Sequence, residues 1–210
     1  MNPAKGVVKK TVKKGIEPKS QAAIVFTGPF QYDRPHRTAI RALSLVLETK
    51  LRETLREDLS GTYGVRVIAN YTKIPDEKYT FIINFGCNPA RTDELIKVVF
   101  QEIENLKANS PNEKQVNDAR EALLREYETS MKQNNYLLTQ IYYRYQLQED
   151  LKYLFDLPEY LKTLSGAMIH EAARAYLNTG NYVQVTLFPE KEPEKKDIRE
   201  ILNWLWQPSL

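Results

Sequence analysis

Two periodicities divide the chain. β-Branched and apolar runs come first, Val7 to Val12 and Ala22 to Phe26, and their bounding Gly15, Pro18 and Gly28-Pro29 predict two short strands. From Arg34 the period becomes helical. Ile40, Leu43, Leu47, Leu51 and Leu55 recur at threes and fours, Asp33 is placed to cap the start and Pro35 sits in the first turn. This predicts a long amphipathic helix ending near Leu59. Alternation then returns: Val65, Val67, Ala69 and Tyr71 oppose Arg66, Ile68 and Asn70, and after IPDEK the residues Phe81, Ile83, Phe85 and Cys87 share one face. Two half-buried antiparallel strands joined by a short loop are expected.

The second half is mainly helical in pattern. Asn88-Pro89 is a cap followed by proline, and Leu95, Val98, Val99, Ile103 and Leu106 supply an apolar stripe. Ser110-Pro111-Asn112-Glu113 reads as a capping box opening a helix that carries Val116, Ala119, Leu123 and Tyr127. Further helices are expected over Asn135 to Tyr153 and Pro158 to Asn178, with a break at Gly166. Five tyrosines between Tyr136 and Tyr153 read first as a core face and second as an adaptable binding wall. Asn178 to Gly180 is a stop, YVQVTLF (Tyr182 to Phe188) a last strand, and Lys196 to Trp206 a short C-terminal helix. The order predicts an α+β domain, a largely antiparallel sheet with helices packed on one side.

At 210 residues one large core is expected, and no apolar run is long enough to span a bilayer. The lone Cys87 excludes an internal disulfide framework, and one cysteine with two histidines leaves no zinc donor set in this chain. Net charge is +3, but residues 1–19 carry +5 and the other 191 carry −2. The lysines of VVKKTVKKG therefore read as protection of an edge strand, and nucleic acid is the weaker partner. MNPAKGVVKK has no apolar stretch of a secretory leader, and the abrupt start in strand-like sequence suggests a portion of something longer. His36 and His170 each lack a second histidine at metal-ligand spacing, so HEAAR is read as an ordinary helix surface.

The turn LREDLSGTYGVRV is the candidate for chemistry. Gly61 and Gly64 allow positive φ and close backbone approach, so Tyr63 can project between them. A packed tyrosine and a solvated Arg56 would explain the same residues structurally. The functional reading is that helix end and turn aim Arg56 and Tyr63 into one space, where a guanidinium and a neutral phenol can hydrogen-bond peptide oxygens.

The order of long helix, R-E-D-L-S-G-T-Y-G-V, hairpin, N-P-capped helix and S-P-N-E-capped helix resembles the C-terminal, non-zinc domain of the pitrilysin/insulinase family of zinc metallopeptidases, over roughly residues 7 to 190. IVFTGPF and NNYLLTQI are weaker markers of the same resemblance. It implies the fold of the mitochondrial processing peptidase and pitrilysin domains, with 1–20 a basic segment including the first strand, 7–190 the domain and 191–210 a tail. It also implies a mechanism split between domains, in which zinc, an H-x-x-E-H helix and the catalytic water belong to an N-terminal domain across a closed chamber. Carried over by position, Arg56 and Tyr63 contact the substrate backbone, and Gly61 and Gly64 shape the turn.

The chain itself has no H-x-x-E-H motif, so it is expected to hold no metal and cut no peptide alone; its partners would be the zinc-bearing domain and a peptide. Two alternatives remain, an inactive scaffold of the same fold and a basic nucleic-acid module resting on the N-terminal lysines. Many bacterial relatives are exported, which favours the periplasm over the cytoplasm.

Overall fold

The computed structural model describes the backbone of residues 5–58 and 62–190, and the side chains of these except 56–58, 62 and 63. The expected C-terminal helix at Lys196 to Trp206 lies outside the described residues.

Five strands form one sheet: β1 (Val7–Lys13), β2 (Ser20–Pro29), β3 (Thr62–Thr72), β4 (Lys78–Cys87) and β5 (Tyr182–Phe188), in the order β1-β5-β2-β4-β3. The last strand inserts between the first two, so β5 runs antiparallel to β2 and parallel to β1. The β3–β4 hairpin falls where alternation placed it, and β2 pairs antiparallel with β4. β1 is the sheet edge, with Lys9, Lys10 and Lys13 exposed along it. Lysine along an exposed edge resists pairing with a stray strand.

Helices α1 (Arg34–Arg52), α2 (Thr92–Ala108), α3 (Glu113–Ser130) and α7 (Gly166–Tyr176) are layered on one face. Alternation in β2 and β4 sends Ile24, Phe26, Phe81 and Ile83 to that face, where they meet Ile40, Leu43, Leu47 and Leu51 of α1, all fully buried. Each such side chain contributes about 1.5–3 kcal/mol relative to exposure. Asp33 caps α1 by accepting the His36 N–H at 2.9 Å. Three further helices, α4 (Asn134–Leu147), α5 (Lys152–Phe155) and α6 (Leu157–Leu161), lie along the chain where Asp156 and Glu149 pair with Arg34 and Arg37 near the N-terminal end of α1.

Four expectations are corrected. The α-helical part of α1 stops at Arg52, and the chain continues as a π-helical segment, Glu53–Asp58. The capping box before α3 is Asn112 with Gln115, two residues later than expected, and Pro111 precedes the cap rather than opening the helix. α4 ends at Leu147, where Gln148 takes a left-handed conformation (φ 54°). None of its residues is buried, and Tyr142, Tyr143 and Tyr145 are exposed. Positions 142, 143 and 145 point around the helix rather than along one stripe, so they cannot form a core face.

Candidate functional site

The two ends of the LREDLSGTYG turn both depart from regular backbone. Leu55 is fully buried and anchors the π-helical segment against β3 and α2, which fixes the backbone carrying Arg56. Single π turns within helices recur at functional sites because they re-aim side chains. On the other side, β3 pairs Thr62 with Cys87 and Gly64 with Gly86, so Tyr63 is an extra residue with no partner on β4. This is a β-bulge, the device by which a strand turns a side chain out of register. The side chains of Arg56 and Tyr63 and the whole of Gly61 lie outside the described residues. Gly64 does not adopt the left-handed conformation expected of it, and a Cβ there would meet nothing within 4 Å. The bulge, rather than a positive φ at this glycine, supplies the local irregularity.

Gly64 opens onto a shallow depression of about 620 Å³ on the sheet face away from the helices. Its floor is low because Gly64, Gly86 and Ala23 stand there, and Gln21, Asn84 and Arg66 bring polar groups to it. Beside it, register places Val8, Val183, Val25, Ile82 and Ile68 side by side across all five strands on this same face, each partly buried. Sequence reasoning missed this row, although its signal was present: AAIVF is apolar at consecutive positions, the pattern of a strand covered on both faces.

The titratable groups elsewhere do not assemble a metal centre. Among the described residues no group of three or more His, Cys, Asp or Glu could hold a metal ion. His36 Nδ1 lies 2.6 Å from Asp33 Oδ1, and this contact with the backbone N–H of His36 holds the carboxyl below its ordinary pKa although burial opposes it. His170 is not the plain surface residue expected: it is partly buried, and its Nε2 lies 2.9 Å from the Lys107 carbonyl at the end of α2. Cys87 is buried beside Thr92 Oγ1 at 3.4 Å, and burial pushes its thiol up, away from reactive thiolate.

Residues 2–123 match the family described as the peptidase M16 inactive domain. The chain belongs to that family. This bears out the resemblance to the non-zinc domain of the pitrilysin/insulinase peptidases. A zinc protease PQQL-like protein of Arabidopsis thaliana is 27% identical over 109 residues, 50% of this chain and 11% of that protein. Among solved structures, the periplasmic protease PqqL from Escherichia coli superposes with a TM-score of 0.75 at 22% identity, covering 89% of this chain and 21% of PqqL. A peptidase M16 inactive domain from Pseudomonas fluorescens gives 0.70 at 20% identity, covering 90% of this chain and 46% of the other. The M16 inactive domain seen here thus spans about a fifth of PqqL and about a tenth of the plant protein. These likenesses establish the α+β fold, in which the π-helical segment and the bulge sit at one end of β3.

Proposed function

We propose that this M16 inactive domain holds the backbone of a peptide while a zinc-bearing peptidase domain, in the same chain or a partner subunit, cleaves it. The observation that carries the reading is the pair of backbone irregularities bracketing residues 59–61: the π-helical segment bearing Arg56 and the bulge at Tyr63. A guanidinium gives fixed donors to carbonyl oxygens, and a phenol can donate to an oxygen as negative charge builds on it. The glycine-floored depression beside Gly64 supports an extended chain passing over this end of the sheet. In this reading 7–190 is the clamping domain, 191–210 a tail and zinc a component of the partner domain. The periplasmic description of PqqL supports the same compartment here.

The scaffold reading is favoured by one observation, the aliphatic row Val8-Val183-Val25-Ile82-Ile68, which suits contact with another domain. Tyr63→Phe in the complete zinc-bearing enzyme separates the two. A donor aimed at a developing oxyanion is worth roughly 2.7–4 kcal/mol, so kcat should fall about 100-fold or more with assembly intact. Unchanged turnover would overturn the clamp and leave the scaffold.

A further inference from the structure

We propose that the cavity enclosed by α1, α4 and the β3–β4 loop is an oxyanion site, with Arg144 and Lys73 as the groups that receive a carboxylate or phosphate. It lies at the opposite end of β3 from Tyr63, roughly 30 Å away at about 3.3 Å per strand residue, and does not depend on the clamp.

The cavity measures about 440 Å³, and its walls include Tyr32, Arg37, Lys73, Tyr143, Arg144 and Glu149. An adjoining space of about 130 Å³ shares Arg37 and Arg144 and adds Arg34 and Arg41. Four guanidiniums so close would repel each other unless paired, and three are paired. Arg34 meets Asp156 at 2.5 Å, Arg37 meets Glu149 at 3.0 Å and Arg41 meets Glu126 at 2.5 Å.

Arg144 is the exception. Its Nη1 donates to the carbonyl and Oε1 of Gln140, at 3.3 and 2.7 Å, both neutral acceptors. Its Nε is buried and donates to nothing among the described residues. Burial pushes its pKa down and Arg37 adds to this, while Glu149 opposes. Lys73 has no carboxylate partner among the described residues either: its Nζ reaches the Leu147 carbonyl at 3.4 Å and lies 5.9 Å from the centre of the Tyr32 ring.

The outer cavity therefore presents Arg37, Lys73 and Arg144 against one carboxylate, Glu149, which already serves Arg37. A partly buried cation with no carboxylate of its own is held at some cost, and an oxyanion lowers that cost through charge-assisted hydrogen bonds. The donors are preorganised: Gln140 holds Arg144, and Arg37 lies over the Tyr32 ring at 4.6 Å, so little freedom is lost on binding.

The test is calorimetric titration of the chain with inorganic phosphate and, separately, with glutarate, at ionic strength matched by chloride. The Arg144 Nε–Hε resonance is followed alongside. Saturable binding is expected with one probe or both, with a shift of that resonance; glutarate alone would point to a carboxylate source and phosphate alone to free phosphate. Arg144→Gln should weaken binding at least about tenfold, the loss of a charged hydrogen bond. Lys73→Gln, at a partly exposed residue, gives a second reading if Arg144→Gln fails to fold. Absence of saturable binding with both probes, or binding unchanged in the folded variants, overturns the proposal.

Discussion

Glu48 Oε2 on α1 accepts the backbone N–H of Val67 on β3 at 2.8 Å, while its Oε1 receives Arg52 at 2.8 Å. β3 is a sheet edge, so its outward N–H groups have no strand to pair with, and the carboxylate takes that place three residues past Gly64. Long helix, edge strand and bulge are thereby fastened together. Glu48→Ala leaves the amide of a buried residue unpaired and should cost about 1–3 kcal/mol, whereas Glu48→Gln, which keeps an acceptor, should lose less. Urea denaturation should rank wild type, Gln and Ala in that order, with Tm falling about 2–4 °C per kcal/mol for a chain of this size.

Gly166 opens α7 where the segment before α3 crosses it. A Cβ there would stand 2.7 Å from Ser110 Oγ and 2.8 Å from the Pro111 carbonyl oxygen. A serine can rotate aside, but the backbone carbonyl has to move. Gly166→Ala, ordinarily favourable in a helix, should here destabilise by about 1–3 kcal/mol in chemical denaturation, the usual cost of overpacking.

Tyr79 donates its hydroxyl to the Tyr176 carbonyl at 2.9 Å, and the two rings pack at 4.8 Å between β4 and α7. Burial pushes both phenols up to about 12. Unfolded tyrosines ionise near 10, so the unfolded chain releases these protons first. The contribution to stability is whole below pH 10 and is lost as pH rises from 10 towards 12. Absorbance titration at alkaline pH should show Tyr79 and Tyr176 among the late-ionising tyrosines, which burial also makes of Tyr71, Tyr136 and Tyr160, together with loss of structure. In Tyr79→Phe, the buried Tyr176 carbonyl loses its side-chain donor, and stability at neutral pH should fall by about 1–2 kcal/mol.

Arg34 joins α1 to the helices beside it. Its guanidinium lies 3.8 Å from the Tyr160 ring centre and 4.8 Å from that of Tyr153, while bonding Asp156 at 2.5 Å. An ammonium cannot reproduce a planar fork stacked on two rings. Arg34→Lys should therefore cost about 1–2 kcal/mol, and a double-mutant cycle with Tyr160→Leu should show coupling of about 0.5–2 kcal/mol.

Much of this fold was legible in the residues alone. Ile40 to Leu51 announced α1, and Phe81, Ile83, Phe85 and Cys87 announced the inner face of β4, because a core-facing element repeats its apolar positions at its own geometric period. Asp33 announced the start of α1, since capping is settled within a few residues of chain, whereas Asn88 caps only a 3-10 turn, Pro89–Arg91, and α2 begins after it at Thr92.

Only tertiary structure decided the rest. No local signal says that β5 inserts between β1 and β2, or that Tyr63 is an unpaired bulge residue on β3. The basic cavity is the clearest case: Arg37 and Glu149 are 112 positions apart, and Lys73 and Leu147 are 74 apart. Sequence by itself determined which segments become helices and strands, because periodicity and capping act over a few residues. Which segments meet, and which charges are left without a partner, depends on contacts that exist only once the chain has closed on itself.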